Sequence, residues 1–469
     1  MTTSSSATGA AADTAFSSLT LHPATLNNLQ ALGYEQMTPI QVASLPLTLA
    51  GKDLIAQAST GSGKTAAFGL PLLERLNQRW FAVQGLVLCP TRELADQVAT
   101  EIRRLARAQE NIKVVTVYGG VPTRNQIASL ENGAHIVVGT PGRVMDLMDR
   151  GALDISNIQT LVLDEADRML DMGFYADIAT VIERCPAQRQ TLLFSATYPD
   201  DIAALAQRFM REPEMVKVAA QHSTAKIAQR WYEVPAKQKL DVVAQMLAHF
   251  RPTSTIAFCN TKQQCREVVA ALQAQGISAL ALFGELEQRE RDEVLVQFAN
   301  GSCSVLVATD VAARGLDIAN LACVINVDVT PDSEVHIHRI GRTGRGDAEG
   351  LALNLVAMDE MPHVAKIEQL QERPSEWFEV SELTPAPGGA LLPPMMTIQI
   401  IGGRKEKIRA GDVMGAMCAD FGYAKEQIGK ISVNDFSTYV AVDRRIAAQA
   451  CAKLNNGRVK GKSVRARVL

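Results

Sequence analysis

The sequence predicts an α/β chain: two parallel-sheet units in tandem, followed by a smaller βαββαβ unit. Three observations carry that reading. Short apolar runs alternate with amphipathic stretches from about residue 20 to 210. The alternation restarts after residue 225. A Pro/Gly-rich stretch at 373–394 then sets off a final segment with a different rhythm.

In the first unit the apolar runs are DLIAQAS (53–59), GLVLCP (85–90), KVVTVYG (113–119), HIVVGT (135–140), TLVLDE (160–165) and TLLFSAT (191–197). Amphipathic stretches such as ELADQVATEIRRLARAQ (93–109) lie between them. Apolar strands separated by helices imply a parallel sheet covered on both faces. The second unit repeats the plan with STIAFCN (254–260), SALALFG (278–284), SVLVATD (304–310), CVINVDV (323–329) and LALNLV (351–356). The two units do not repeat one sequence, so their relation is architectural. RPSEWFEVSELTPAPGGALLPP (373–394) has no periodicity and reads as a linker. Beyond it, strand-like MTIQII, KISVN, TYVAV and SVRARV enclose helical DVMGAMCADF and RIAAQACAKL, a ferredoxin-like plan. The expected divisions are a tail at 1–15, units at 16–215 and 216–372, the linker, and a module at 395–469.

Composition narrows the classes. Of 469 residues, 47% are hydrophobic and 21% charged, which excludes a wholly disordered chain. No run approaches the ~20 apolar residues that span a bilayer. The first residues, MTTSSSATGAAADTAF, have no basic start and no apolar core, so they read as a solvated tail rather than a secretory signal. The eight cysteines form no CxxC pair or Cys/His ladder. They read as reduced, buried thiols of a cytosolic protein, with a disulfide framework or a zinc site as the minor alternatives. The net charge of −3 conceals an asymmetry: residues 395–469 carry 14 Lys/Arg against 6 Asp/Glu, and the rest of the chain is acidic. A basic module on an acidic body points to nucleic acid.

Three motifs carry chemistry. ASTGSGKT (58–65) follows an apolar strand and opens a helix. Its glycines let backbone N–H groups approach phosphates, and the helix N-terminus adds partial positive charge. The loop residues Ala58, Ser59, Thr60, Gly61, Ser62 and Gly63 would cradle the phosphates, Lys64 would reach the β/γ-phosphates, and Thr65 would ligate Mg²⁺. The strict pattern has Gly where Ala58 stands. LVLDEAD (161–167) is an apolar strand ending in adjacent carboxylates, which places Asp164 near Mg²⁺ and Glu165 near the attacking water. HRIGRTGR (338–345) sets arginines among glycines, suited to charge developing on a γ-phosphate.

Together these residues resemble the DEAD-box RNA helicases, whose name is spelled out by Asp164-Glu165-Ala166-Asp167. Other segments of that family occur in order. GYEQMTPIQ (33–41), with Phe16 upstream, resembles the adenine-reading motif. The resemblance implies that Gln41 bonds the adenine edge, that Phe16 contacts the ring, that Tyr34 belongs to the same site, and that the nucleotide is ATP. Pro90, Thr91 and Arg92, then Gly119 and Gly120, then Thr140, Pro141, Gly142 and Arg143 match RNA-contacting segments. Ser195, Ala196 and Thr197 match the segment that couples ATP to RNA. In the second unit FCNTK (258–262), QRER (288–291) and ATDVAARGLD (308–317) match later segments. These imply RNA contacts at Gln288, Arg291, Thr309 and Arg314, with Asp317 toward the ribose. His338, Arg342 and Arg345 match the last motif, in which the two arginines are finger residues. One departure is Phe283 before Gly284, where many members carry His. The implied architecture is two RecA-like domains that bind ATP and the RNA backbone, close together, and kink one strand so that short duplexes separate.

The basic module refines this. IGGRKEKIRAGDVMGAM (401–417) puts Arg404, Lys405, Lys407 and Arg409 between a strand and a helix. FSTYVAV (436–442) stands where an RNA-recognition module keeps its aromatic strand, but only Tyr439 fills an aromatic position there. Stacking of bases on this sheet is therefore expected to be poor, and recognition is expected through the basic loop and edges. The alternative is a protein-binding or stabilising role for the module. GDVMGAM and the ending GRVKGKSVRARVL resemble a bacterial branch of the family. That resemblance implies docking on a hairpin of large-subunit (23S) ribosomal RNA, a part in assembling the large subunit, a cytoplasmic location and a monomeric state. Two other readings use the same motifs: an ATP-locked RNA clamp and a DNA translocase. Glu165 and the finger arginines favour turnover over clamping; the adenine motif and the tail module disfavour DNA.

Overall fold

The structure is a computed structural model that describes residues 14–58, 61–218, 227–313, 321–344, 349–388 and 390–469. Among the described residues, seven strands form the first sheet: β1 (Leu54–Gln57), β2 (Gly85–Leu88), β3 (Val114–Val117), β4 (Ile136–Gly139), β5 (Thr160–Asp164), β6 (Gln190–Ser195) and β7 (Glu214–Lys217). Their order is β3-β4-β2-β5-β6-β1-β7, and every pairing is parallel. Successive side chains feed opposite faces. Leu54, Ala56 and Val87 pack on one core, while Ile55, Leu86 and Leu88 pack on the other. A sheet buried on both faces is what the continuous apolar runs require.

Parallel strands put all their carboxy ends on one edge, and strand order then decides which loops are neighbours. The motif loops after β1, β5 and β6 fall on adjacent strands, and those after β2, β3 and β4 fall on the other adjacent trio. The edge is thereby divided between the segments expected to hold ATP and those expected to hold RNA.

The second sheet, among the described residues, contains β8 (Ile227–Glu233), β9 (Thr255–Cys259), β10 (Ala279–Leu282), β11 (Val305–Thr309), β12 (Cys323–Asn326) and β13 (Gly350–Val356). Its order is β10-β11-β9-β12-β13-β8, again parallel. Two strands were not expected from the sequence, β7 and β8. Both sit at sheet edges, and an edge strand is covered on fewer sides, so it needs no continuous apolar run. β7 pairs with β1, so the first unit extends past residue 215, where the sequence reading had ended it.

The C-terminal module consists of β14 (Met395–Ile401), β15 (Ile428–Val433), β16 (Ser437–Asp443) and β17 (Arg465–Val468), in the antiparallel order β15-β16-β14-β17. Helices 410–420 and Ala447–Asn456 cover one face, with Ile398, Ile400, Val413, Met417, Val440, Val442 and Leu454 as core. The expected linker is a strap. Trp231 N–H donates to Glu376 O at 3.0 Å and Phe378 N–H donates to Trp231 O at 2.8 Å. Phe378, Val380, Leu383 and Leu391 pack against the core of the second unit. The four apolar side chains were visible in the sequence, but without a period nothing there said which surface they cover.

All eight cysteines are unpaired thiols, six of them buried. Among the described residues no helix is long and apolar enough to cross a membrane.

Candidate nucleotide and RNA sites

After β1 the chain turns through Gly61 and Gly63, with φ of +81° and +93°, into the helix Lys64–Glu74. These left-handed conformations suit glycine. At Gly63 the space is also closed: a Cβ there would lie 2.6 Å from Gln41 Nε2. Gln41 is 1% exposed; its Oε1 accepts from Thr38 N–H at 2.9 Å and its Nε2 donates to Gly63 O at 3.0 Å. The glutamine expected at the adenine edge is thus fastened to the phosphate loop. Phe16 is buried, edge-on to the Tyr34 ring at 6.0 Å, and Tyr34 hydroxyl donates to Glu101 Oε1 at 2.6 Å. Burial and then Glu101 push the Tyr34 phenol well above its ordinary range.

Lys64 is buried at the first position of its helix, and its Nζ has no hydrogen-bond partner among the described residues. Asp164, at the end of β5, is 3% exposed and its Oδ1 is equally unpartnered. Buried polar groups are ordinarily satisfied, so two such atoms beside a helix N-terminus fit an absent phosphate and its cation. Burial pushes the Asp164 carboxyl up to about 6, against the pull of Lys64 and with the push of Glu165.

Glu165 has φ +52°, a left-handed conformation uncommon outside glycine. The turn presents its carboxylate to Arg168 Nη1 at 2.7 Å with both side chains almost fully buried. Strained backbone of this kind collects at functional sites. Asp167, to which the sequence reading gave no separate role, is the connector. Its Oδ2 accepts from Ala196 N–H at 3.1 Å, Thr197 N–H at 2.9 Å and Thr197 Oγ1 at 3.0 Å. Ser195 Oγ accepts from Asp167 N–H at 3.3 Å, and Ala58 N–H donates to Ser195 O at 2.9 Å. Burial raises the Asp167 carboxyl, but the Thr197 bonds and Lys64 outweigh it and leave it below its ordinary value. Ala58 of the phosphate loop, Asp167 and Ser195, Ala196 and Thr197 therefore form one bonded assembly.

The other trio of strand ends gathers the RNA-type segments. Thr91 caps the helix Arg92–Leu105, accepting from Leu94 N–H at 3.3 Å. Thr140 precedes the helix Pro141–Asp149, so two helix N-termini open on this edge. A Cβ on Gly120 would sit 3.0 Å from Arg92 Nη1, which places the loop of Gly119 and Gly120 beside Arg92. Arg143 Nη1 donates to Val121 O at 3.3 Å, tying Thr140–Arg143 to that same loop. Pro90 and Gly142 lie on these segments.

In the second unit the residue that joins the motifs is Arg339, 2% exposed. Its Nε and Nη2 grip Asp310 at 2.7 and 2.6 Å, Nη2 also reaches Asn260 Oδ1 at 3.0 Å, and Nη1 reaches Asp328 O at 2.7 Å. It thus binds the segments after β9, β11 and β12 to its own. Sequence reasoning grouped the three arginines of HRIGRTGR as candidates to meet γ-phosphate charge and singled out Arg342 and Arg345 as fingers; it gave Arg339 no connecting role, though its place within the same motif was the available signal. Arg342 is buried, and its carbonyl accepts from Leu321 N–H at 3.1 Å. His338 lies in the last turn of the helix Ser333–Ile340. Thr309 ends β11, Gln288 opens the helix Gln288–Ala299, and Arg291 Nη2 donates to Ala312 O at 2.7 Å. Ser59, Thr60, Arg314, Asp317 and Arg345 lie outside the described residues.

On the C-terminal module Arg404, Lys405, Lys407 and Arg409 are all exposed on one loop. Gly403 lets that loop approach the β15–β16 turn, since a Cβ there would lie 2.1 Å from Asn434 O. The sequence reading missed two further cations. Lys460 Nζ donates to Lys407 O at 2.7 Å and Lys462 Nζ to Glu406 O at 3.0 Å, so a turn fifty residues away adds its charge to the same patch. Tyr439 is 3% exposed, so it offers no stacking surface.

Family models match this chain in three stretches: DEAD/DEAH box helicase at 38–205, helicase conserved C-terminal domain at 238–347, and DbpA RNA binding domain at 397–468. The chain is 49% identical over 459 residues to the ATP-dependent RNA helicase DbpA of Escherichia coli (strain K12), covering 97% of this chain and 100% of that one. It is 45% identical over 364 residues to the DEAD-box ATP-dependent RNA helicase CshA of Geobacillus kaustophilus (strain HTA426), covering 77% and 78%. Among solved structures it resembles S. cerevisiae Dbp5 bound to RNA and ADP BeF3, with 30% identity, a TM-score of 0.72, and coverage of 79% of this chain and 96% of that one. With the phosphate loop and the DEAD carboxylates at the ends of parallel strands, and the arginine motif beginning in the last turn of the helix Ser333–Ile340, the chain belongs to the DEAD-box ATP-dependent RNA helicases.

Proposed function

We propose that this helicase separates short RNA duplexes locally and is directed by its C-terminal module to a hairpin of large-subunit ribosomal RNA, where it acts in assembly of the large ribosomal subunit. The observation that carries the reading is the exposed patch of Arg404, Lys405, Lys407, Arg409, Lys460 and Lys462, on a module matching the DbpA RNA binding domain. Exposed cations bind phosphates and position RNA. Thr65 and Asp164 would hold Mg²⁺, which neutralises phosphate charge. Lys64 binds the phosphates, Glu165 orients the attacking water, and Arg342 and Arg345 meet charge on the γ-phosphate. Phe16, Tyr34 and Gln41 form the adenine end, Asp317 approaches the ribose, and His338 supports the arginine motif. The loops at 90–92, 119–120 and 140–143, with Gln288, Arg291, Thr309 and Arg314, hold the RNA backbone. The protein works as a monomer in the cytoplasm.

The test is crosslinking of the intact chain to total cellular RNA, with sites mapped, followed by ATPase assays with the mapped RNA. Crosslinks concentrated on one large-subunit hairpin are expected, together with preferential stimulation by it. Neutralising Arg404, Lys405, Lys407 and Arg409 together should remove that preference. Crosslinks spread over all cellular RNA would overturn the targeting.

A further inference from the structure

Strand alternation assigns Ile398, Ile400, Val440 and Val442 to the module's own core, so Thr397, Gln399, Tyr439 and Ala441 point out of the opposite face. On a free-standing module that face would meet water. Here Thr397 is 0% exposed, Gln399 2% and Tyr439 3%.

The covering groups belong to the second helicase domain. Thr397 Oγ1 accepts from Asn300 Nδ2 at 3.0 Å and bonds Ser302 Oγ at 2.8 Å, with all three residues buried. Glu293 Oε1 accepts from Gln399 Nε2 at 3.3 Å and from Arg467 Nη2 at 3.0 Å, besides Arg289 Nε of its own helix at 3.2 Å. Gln399 completes the row, accepting from Arg467 Nε at 2.6 Å and donating to Tyr439 hydroxyl at 3.2 Å. The strap is bonded to the module where it enters: Arg444 Nε donates to Pro393 O at 2.7 Å. The far end of the same face remains open at Ile401, strongly exposed beside the basic loop, as is Phe436 in the turn before β16.

We propose that the outer sheet face of the module is a docking surface for the second helicase domain, and that Glu293 is the positioning residue that fixes how the basic loop presents RNA to that domain. The functional half rests on the RNA reading above. Glu293 stands on the helix that Gln288 opens and that carries Arg291, the residues proposed to touch the RNA backbone. One rigid helix therefore carries both the RNA contacts of the domain and the seat of the module. A hairpin gripped by the basic loop then lies at a set distance from the duplex to be opened.

Two measurements on the full chain test this. Asn300→Cys with Thr397→Cys should form an intrachain disulfide under mild oxidation without RNA or ATP, identified by mass spectrometry of the linked peptides. Its absence would overturn the docking. The second uses RNAs in which the mapped ribosomal hairpin is joined to a short duplex by spacers of increasing length. The intact chain should unwind best at one spacing, by up to about a hundredfold, the loss that misplacement can cause. Glu293→Arg should flatten that profile while hairpin affinity is retained, and adding Arg467→Glu should restore it. An unchanged profile in Glu293→Arg, or no rescue by the reversed pair, would overturn the positioning role. A chain indifferent to the hairpin would instead overturn the RNA reading, and the disulfide would then decide the docking alone.

Discussion

Lys64 and Arg404 are both proposed to meet phosphate, but they are built differently. Lys64 is buried, unpartnered among the described residues, and set at a helix N-terminus, where its charge acts on Asp164 and Asp167. Arg404 and its neighbours stand in water on a loop shaped by Gly403. A buried charge acts at low dielectric, is screened little by salt, and must have a partner when the enzyme works. An exposed charge acts through solvent and is weakened by every increment of salt. The first arrangement suits chemistry, where one atom must be in one place. The second suits capture, where several contacts sum and none is indispensable.

The largest effects should follow from breaking the buried half. Lys64→Ala should reduce ATP turnover to background, measured by phosphate release, because the phosphates lose their main cation. Glu165→Gln should keep ATP binding and stop hydrolysis, leaving RNA trapped with ATP in a filter-binding assay. Normal turnover in either variant would remove the role given to that residue.

A smaller loss is expected from the link between halves of the site. Asp167→Asn leaves a neutral group where a carboxylate accepts three bonds from Ala196 and Thr197. Hydrogen bonds to charged groups are worth about 1.5–3 kcal/mol, so RNA-stimulated ATPase should fall at least about tenfold with ATP affinity little changed. Equal loss in basal and RNA-stimulated rates would assign Asp167 to the chemistry instead of the coupling.

For the exposed half, neutralising Arg404, Lys405, Lys407 and Arg409 together should flatten the log–log salt dependence of hairpin binding by about 2.8, from ~0.7 per single-strand contact. The KM for ATP should move little over the same salt range. A steep salt dependence surviving in the variant would shift the capture to other cations, of which Lys460 and Lys462 are nearest.

The smallest effect sharpens the burial side. His336 is buried against Trp231, with ring centroids 5.3 Å apart. Burial, then the charges of Arg339 and Arg373, hold its imidazole down at about 3. With the folded value depressed, the unfolded chain takes up the proton first as pH falls. Its contribution to stability is complete above about 6.5 and is lost as pH falls from there toward 3, at up to about 1.4 kcal/mol per pH unit. Denaturant midpoints followed by tryptophan fluorescence between pH 7.5 and 5 should show this slope, and His336→Leu should reduce it. An equal slope in the variant would assign the acid sensitivity to other groups.

By itself the sequence determined the parts whose physics is local. Continuous apolar runs specify strands buried on both faces, and a parallel strand delivers the loop after it to one edge. ASTGSGKT and LVLDEAD could therefore be assigned to one nucleotide site from their residue types and order, and the four cations to one loop, whereas SAT was assigned by its resemblance to the family. Tertiary structure decided what depends on distant partners. Strand order, with β5, β6 and β1 adjacent, divides the edge between nucleotide and RNA segments. Arg339 becomes a hub because three strand ends converge on it. Lys460 joins the patch across fifty residues, and Thr397 is buried because Asn300 and Ser302 lie against it. The edge strands β7 and β8, and the strap expected as a bare linker, belong here as well. Their side chains have no period of their own, and a hydrogen bond between distant residues leaves no trace in the spacing of either.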